Sequence, residues 1–255
     1  MKLQNKVALI TGAGRGLGRE ISVLFAEEGA KVAGGSKTKK YLDETIEMIK
    51  SKGGEATEIL GDVSIPSDAR KMVEETIKRF GRLDILVNNA GIDTLGSSLN
   101  LTVENWNRLI AVNLTGPFLV SKYAIPEIIK SGSGSIVHIG STAGLVGFPG
   151  WLGYCTTKGG IVNMTRVMAL ELAPYKIRVN CVCPGDMKTP MFEAWITGFT
   201  EDERPKIEKE AMSRYPLNRF ADPAEVARAV LFFASDDSSY ATGAILSVDA
   251  GYTAQ

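Results

Sequence analysis

Seven short apolar runs alternate along the chain with longer segments of helical periodicity, and this alternation constrains the fold most. In the first helical segment, for example, Leu17, Ile21, Leu24 and Phe25 recur at helical spacing. Strands that alternate with helices are joined in parallel, with helices covering both faces of the sheet. We therefore predict an α/β fold with a seven-stranded parallel sheet.

The predicted elements cover most of the chain. The strands are residues 6–11, 30–35, 56–60, 83–89, 134–140, 177–182 and 244–249. The helices are residues 17–28, 39–52, 67–80, 103–130, 152–173 and 223–234. No repeat, low-complexity tract or proline- and glycine-rich linker divides them, so we expect one domain over 1–255.

Charge and cysteine content exclude several classes of function. The chain has 29 basic and 29 acidic residues, so it has no net field to attract nucleic acid or an anionic membrane. No apolar run approaches the length of a membrane span. Three cysteines, Cys155, Cys181 and Cys183, lie in apolar surroundings at spacings that suit neither a disulfide framework nor a zinc site. We expect a soluble cytoplasmic protein without a metal.

Residues 186–222 break the alternation, because they hold no strand pattern but are rich in large apolar side chains. These side chains are Met187, Met191, Phe192, Trp195, Phe199, Met212 and Tyr215. One interpretation is a connection whose short helices pack on the core. The other is a substrate-binding lid over a crevice at the carboxyl ends of the strands. The two interpretations are compatible.

A glycine-rich turn, TGAGRGLG at 11–18, follows the first strand and opens the first helix. Glycines let a backbone approach a pyrophosphate closely, and a helix amino end offers free N–H groups and a positive dipole. The spacing of Gly12, Gly16 and Gly18 is not GxGxxG, and no acidic residue closes the second strand. The turn alone is therefore weak support for a dinucleotide site.

Tyr154 and Lys158 lie four positions apart in a predicted helix, so their side chains project from one face. A free tyrosine, with a pKa of about 10, is only about 0.1% ionised at pH 7. A neighbouring cation favours the phenolate. The pair is a candidate acid and base, although the spacing alone is common in helices.

Six motifs in order make the sequence resemble the short-chain dehydrogenase/reductase family in its roughly 250-residue form. They are TGxxxGxG at 11–18, NNAG at 88–91, Asn113 in VNLTG, Ser141 thirteen residues before the tyrosine, YxxxK at 154–158, and PG followed by threonine at Pro184, Gly185 and Thr189. The resemblance covers essentially the whole chain. It implies a single Rossmann-like doubly wound domain with strand order 3-2-1-4-5-6-7.

The same resemblance implies an NAD(P)-dependent oxidoreductase that interconverts a secondary alcohol and a ketone. Tyr154 would be the general acid and base, and Lys158 would lower its pKa and bind the nicotinamide ribose. Ser141 would orient the carbonyl, and Asn113 would position water in a proton relay. The four catalytic residues implied are therefore Asn113, Ser141, Tyr154 and Lys158.

The resemblance also implies a set of cofactor contacts. They are Gly12, Arg15, Gly16, Leu17, Gly18, Ser36, Lys37, Asp62, Val63, Asn89, Ala90, Gly91, Tyr154, Lys158, Pro184, Gly185 and Thr189. Relatives that prefer NAD usually have an aspartate where Ser36 stands, whereas Lys37 and Arg15 suit a 2′-phosphate. We predict NADP, with NAD as the alternative. Asp62 is also a plausible turn former.

The predicted substrate is a small, mostly apolar alcohol or carbonyl compound. Its predicted pocket is formed by Ser141, Leu145, Phe148, Trp151, Tyr154, Met191 and Trp195. A 3-oxoacyl-acyl-carrier-protein reductase and a sugar dehydrogenase are alternatives. The resemblance also implies a homotetramer, assembled through the helices near 103–130 and 152–173 and the carboxyl-terminal strand region.

Two functions of other classes fit the residues less well. Ser141 as a hydrolase nucleophile lacks the GxSxG context, and the only histidine, His138, precedes the serine instead of following it. A non-catalytic dinucleotide-binding subunit would usually have lost the tyrosine or the lysine. Because both are present here, we favour an enzyme.

Overall fold

The computed structural model describes residues 1–255. Its seven strands form one parallel sheet in the order 3-2-1-4-5-6-7, which confirms the predicted fold class and strand order. The strands are β1 (Val7–Thr11), β2 (Lys31–Ser36), β3 (Ala56–Leu60), β4 (Ile85–Asn88), β5 (Gly134–Ile139), β6 (Ile177–Pro184) and β7 (Ile245–Val248).

Strand β1 lies in the interior of the sheet, where Leu9 pairs with Ala33 on one side and with Leu86 on the other. All five of its residues are buried. A parallel sheet covered on both faces needs such uninterrupted apolar runs. The carboxyl end of β1 leads directly into the glycine-rich turn, so this buried, doubly paired strand fixes the position of that turn.

Nine α-helices surround the sheet. They are α1 (Gly16–Glu27), α2 (Lys39–Ser51), α3 (Pro66–Phe80), α4 (Val103–Ile110), α5 (Gly116–Lys130), α6 (Leu152–Leu172), α7 (Pro190–Ile196), α8 (Arg204–Ser213) and α9 (Pro223–Ala234). Buried side chains of α1, α2 and α9 form one core layer with the sheet. Those of α3, α5 and α6 form the second layer.

The predicted helix 103–130 is interrupted in the structure. A π-helical turn, Ala111–Thr115, separates α4 from α5. Pro117 has no N–H and therefore cannot donate to the carbonyl of Asn113 as a regular α-helix would require. The wider turn holds Asn113, whose side chain is buried and bonded to a neighbouring loop.

Residues 186–222 contain two short helices, α7 and α8, and no strand of the sheet. A small apolar cluster of Ala211, Tyr215 and Phe220 anchors them, with Phe192 and Trp195 packed against it. This cluster is separate from the two core layers beside the sheet, against which Met187 and Ala221 of this segment pack. Among all helices of the protein, none combines the length and the apolar character that crossing a bilayer would require.

Candidate active site

A cavity of about 440 Å³ opens at the carboxyl ends of the strands. Every residue predicted to contact the cofactor lines it, from Gly12 in the first turn to Thr189 before α7. All residues predicted for the substrate pocket line it as well, except Leu145. The fold thus gathers residues that are spread over most of the chain into one space.

The glycine-rich turn is shaped by close backbone contacts. Gly12 and Gly16 have φ angles of +68° and +55°, in the left-handed region that favours glycine. A Cβ atom on Gly12 would lie 2.8 Å from the side chain of Asn89 and 2.9 Å from the Cα of Ala90. A Cβ on Gly18 would lie 2.1 Å from the carbonyl oxygen of Gly12. These positions require glycine.

The amino end of α1 faces the cavity without a protein partner for its positive dipole. Arg15 occupies the N-cap position but makes no side-chain cap hydrogen bond, and the first turn of α1 has no acidic residue. Free N–H groups and the dipole at a helix amino end favour an anion. The turn and the helix end therefore fit the pyrophosphate of a dinucleotide.

Strand β4 is tied to this turn by Thr11. The Thr11 hydroxyl accepts hydrogen bonds from the backbone N–H groups of Asn89 at 3.0 Å and Ala90 at 3.1 Å. The Asn89 side chain donates to the carbonyl of Thr11 at 2.9 Å. The residues after β4 therefore form a fixed wall beside the glycine-rich turn.

Tyr154 and Lys158 lie in the first two turns of α6. Lys158 is buried, and its ammonium group donates to the carbonyl oxygen of Ile139 at 2.8 Å. The Lys158 Nζ atom is 5.5 Å from the centre of the Tyr154 ring. The two side chains therefore share one helix face, as their spacing predicts.

Burial dominates the electrostatics of this pair. It raises the pKa of Tyr154, although the Ser141 hydroxyl acts in the opposite direction. It also lowers the pKa of Lys158 to about 8. The cost of burying a phenolate is the largest effect on the tyrosine, and a nearby cation such as Lys158 acts against that cost.

Ser141 caps a short 3₁₀ turn, Thr142–Gly144, by accepting a hydrogen bond from the Ala143 N–H at 3.1 Å. The turn packs on α6, where a Cβ on Gly144 would lie 2.6 Å from the carbonyl of Lys158. This packing fixes the turn that carries Ser141 against the helix that carries Tyr154. All three side chains, Ser141, Tyr154 and Lys158, line the cavity.

Two predicted residues lie outside the cavity lining. Leu145 follows the 3₁₀ turn, is about one-third exposed and does not line the cavity in this structure, so its assignment to the pocket stays a prediction. Asn113 lies behind the wall, where its side chain binds the N–H of Ile92 at 2.9 Å and the carbonyl of Ile92 at 2.8 Å. Its contacts fix the loop after β4.

The end of the cavity near the carboxyl ends of β2 and β3 is called its outer end. There, the Asp62 carboxylate forms ion pairs with two cations. It lies 2.8 Å from the Lys37 ammonium and 3.4 Å from the Arg108 guanidinium. Burial acts to raise the pKa of Asp62, but hydrogen bonds from Lys37 and Ser64 outweigh it and hold the pKa well below its usual range. Arg15, also at this end, lies over the ring of Tyr41 at 5.5 Å.

The sequence analysis missed several residues of the cavity wall. Most notable are two carboxylates, Asp93 and Asp186, whose pKa values burial raises. Asp186 directly follows the PG motif, and Asp93 comes two residues after NNAG. An acidic residue just beyond the carboxyl end of a parallel strand is a usable signal, because ligands bind at that edge of the sheet.

Comparisons with known proteins agree with this architecture. Residues 12–253 match the family model described as enoyl-(acyl carrier protein) reductase. An uncharacterized oxidoreductase of Thermotoga maritima is 44% identical over all of both chains. Cyclohexanol dehydrogenase of an Acinetobacter species is 38% identical over 100% of this chain and 97% of the relative.

Among solved structures, levodione reductase superposes with a TM-score of 0.96 at 32% sequence identity, covering 99% of each chain. Sequence and structure therefore agree over nearly the full length, including the glycine-rich turn, the end of β4 and the helix that carries Tyr154 and Lys158. On these grounds the chain belongs to the short-chain dehydrogenase/reductase family of oxidoreductases.

Proposed function

We propose that this protein is an NADP-dependent oxidoreductase that interconverts a secondary alcohol and a ketone, with Tyr154 as general acid and base. One observation carries the proposal: Ser141, Tyr154 and Lys158 line the same cavity as the glycine-rich turn that fits a dinucleotide. The nicotinamide ring, when bound, supplies or accepts the hydride.

The side chains around the substrate oxygen divide the remaining work. The Ser141 hydroxyl hydrogen-bonds the oxygen and orients it. The Tyr154 hydroxyl gives a proton to this oxygen in reduction and takes it back in oxidation. Lys158 holds its ammonium group on the same helix face, where positive charge favours the phenolate. Asn113 is a positioning residue, because it fixes the backbone of Ile92 beside the cavity.

Two features at the outer end support NADP over NAD. Strand β2 ends in Ser36, so no carboxylate from that position repels a 2′-phosphate. Lys37 and Arg15 both line the cavity and bring positive charge to this end. Asp62 already pairs with Lys37, and this pairing reduces the charge that Lys37 offers. NAD therefore stays the alternative cofactor.

A small secondary alcohol is the preferred substrate class, supported by the aromatic side chains that line the cavity and by the 38% identity to cyclohexanol dehydrogenase. A second candidate is reduction of an acyl-carrier-bound 3-oxoacyl group, supported by the acyl-carrier description of the matching family model and by 41% identity to a 3-oxoacyl-acyl-carrier-protein reductase of Thermotoga maritima. Residues 186–222 would cover the substrate as a lid, because Met187, Met191 and Trp195 line the cavity from that segment.

A homotetramer is the proposed assembly. Large apolar side chains are exposed on α4, α5 and α6, among them Val103, Phe118 and Leu170. Exposed apolar patches of this kind typically mark protein interfaces. Light scattering of the purified chain at micromolar concentration should give the mass of four chains, and a monomer there would remove the proposal.

Replacement of Tyr154 tests the proposed chemistry. Tyr154→Phe removes only the hydroxyl, so we expect turnover to fall by roughly 10²- to 10⁴-fold while NADPH still binds. Turnover of a panel of cyclic alcohols and ketones and fluorescence titration of NADPH provide the two readouts. Tyr175→Phe is a matched control, because Tyr175 is half exposed and lies outside the cavity. Unchanged turnover in Tyr154→Phe would remove the assignment.

A further inference from the structure

Tyr252 joins two parts of the cavity wall that lie far apart in the sequence, although it does not line the cavity itself. It begins the short 3₁₀ helix Tyr252–Ala254. On one side its ring stacks on the ring of Phe148, with centroids 5.4 Å apart and planes inclined by 13°. On the other side its ring centroid lies 5.3 Å from that of Tyr215. The chemistry proposed above assigns no role to Tyr252.

Phe148 connects this stack to the proposed general acid. Its ring lines the cavity, and its carbonyl accepts a hydrogen bond from the N–H of Trp151 at 3.1 Å. The ring of Trp151 in turn lies edge to face with that of Tyr154, with centroids 5.9 Å apart. A shift of the Phe148 ring would therefore displace the wall around the reacting group.

The loop that carries Phe148 has few buried contacts of its own. The residues on either side of it, 145–147 and Pro149, are exposed. Segments with few buried contacts open at low free-energy cost. Phe148 makes no other aromatic contact than the stack on Tyr252, so this stack restrains its ring.

Tyr215 connects the stack to α7, which belongs to segment 186–222. The ring of Tyr215 lies edge to face with Phe220, whose centroid is 4.8 Å from that of Phe192. Phe192 lies 5.6 Å from Trp195, and both of these α7 side chains line the cavity. Aromatic contacts from the Phe148 loop and from α7 therefore meet at the ring next to Tyr215.

The backbone that carries Tyr252 is fixed by Asp249, which directly follows β7. The Asp249 carboxylate accepts hydrogen bonds from the N–H groups of Gly251 at 3.2 Å and Thr253 at 2.9 Å. The Asp249 carbonyl accepts one from the N–H of Tyr252 at 2.9 Å. The Tyr252 ring is thus attached to the end of the sheet and can restrain less firmly held segments.

Building on the alcohol and ketone chemistry proposed above, we infer that Tyr252 is a positioning residue for the substrate. Its ring fixes Phe148 relative to α7 and thereby sets the width of the substrate cavity. A wall that is already fixed favours binding, because little ordering is needed when the substrate enters. None of the aromatic contacts of Tyr252 involves the glycine-rich turn, so cofactor binding should not depend on it.

Removal of the ring from the full-length enzyme tests the inference. Tyr252→Leu should raise KM for cyclohexanone about tenfold, with kcat changed by less than about threefold and NADPH affinity unchanged, because substrate binding is weakened and proton transfer is not. Tyr252→Phe keeps both ring contacts and should retain most of the substrate affinity. Tyr240→Leu is the matched control, because Tyr240 is fully exposed and lies outside the cavity. An unchanged KM in Tyr252→Leu, or an equal rise in Tyr252→Phe, would overturn the inference.

A double substitution shows whether Tyr252 acts through Phe148. Phe148→Leu should also raise KM, and Tyr252→Leu added to it should raise KM by less than about twofold more, because the stack is already lost. Full additivity of the two effects would overturn the inference. If Tyr252→Leu does not fold, Tyr252→Met takes its place. Failure of both to fold would show that Tyr252 serves folding instead of substrate positioning, and would also overturn it.

Hydrogen exchange measured by mass spectrometry separates this inference from the proposed function. The backbone N–H groups of residues 145–151 should exchange faster in Tyr252→Leu than in the unmodified protein, and Tyr252→Phe should restore slow exchange. If no compound of the panel reacts and Tyr154→Phe changes nothing, the proposed function is wrong, and exchange alone decides whether Tyr252 holds the loop. If cyclohexanone reacts in a Tyr154-dependent way while KM and exchange are unchanged in Tyr252→Leu, only the inference about Tyr252 is wrong.

Discussion

Two polar networks differ in burial: an inner network is buried within the protein, and an outer network lies at the end of the cavity near β2 and β3. The inner network joins Asn88 to Ser121 at 3.0 Å and to the His138 ring at 3.2 Å, and all three side chains are buried. The outer network joins Asp62 to Lys37 and Arg108, of which Lys37 is 57% exposed.

A charge has a different effect on stability in the buried network and in the outer network. In the buried network no ion pair offsets desolvation, so burial lowers the pKa of His138 to about 4, and the charge of Lys158 adds to this effect. In the outer network Asp62 is buried, but Lys37 and Arg108 are exposed, so water screens both ion pairs, and pairs of this kind contribute about 0–1 kcal/mol. A change of charge in the inner network should therefore alter the free energy of unfolding. A change of charge in the outer network should alter which cofactor, NADPH or NADH, binds more tightly.

The largest expected effect is an acid destabilisation caused by His138. Its pKa in the folded chain, about 4, is below the usual 6.5 of an unfolded chain. The stabilisation is therefore complete above pH 6.5 and is lost as the pH falls towards 4. A shift of this size corresponds to about 3 kcal/mol in total, of which about 2 kcal/mol is lost between pH 7 and pH 5.

His138→Asn isolates this contribution, because the chain has no other histidine. Urea unfolding at pH 7 and pH 5 should show a smaller loss of stability in the variant than in the unmodified protein. An NMR titration of the single imidazole gives its pKa directly. A ring that titrates near pH 6.5, or equal losses in both proteins, would show that burial does not control this group.

The sequence predicts the strands of the sheet better than it predicts the bounds of the helices. The seven strands could be read from the sequence because uninterrupted apolar runs such as that of β1 are specific to a buried parallel sheet. The break between α4 and α5 was missed, although Pro117 signals it, because the apolar periodicity continues across the π-helical turn.

The candidate site shows the same limit. Tyr154, Lys158 and Ser141 belong to motifs with fixed spacing, so the sequence could place them near one another. The pairing of Lys37 with Asp62 and the presence of Asp93 and Asp186 in the cavity wall depend on how separate strand ends meet in space. Spacing within one motif does not specify contacts between separate strand ends, although the positions of Asp93 and Asp186 just after strands are a signal that the sequence analysis did not use.

The smallest expected effect on folding comes from Lys37. Because its side chain is exposed and its ion pair is screened, Lys37→Ala should change the free energy of unfolding by less than about 0.5 kcal/mol. The same substitution should weaken NADPH binding by about tenfold and change NADH binding little, since only NADPH carries a 2′-phosphate. Fluorescence titrations of both cofactors at low and high salt provide the measurement.

Salt and a neighbouring lysine sharpen this test. A charge contact at the exposed end should lose most of its contribution as ionic strength rises, because counterions screen it. Lys39→Ala is the matched control, since Lys39 is an exposed lysine paired with Asp43 and does not line the cavity. If Lys37→Ala weakens the binding of NADPH and NADH equally, Lys37 does not contact the 2′-phosphate. The outer network then acts by positioning Asp62. The preference for NADP would in that case depend on Arg15 and Ser36 alone.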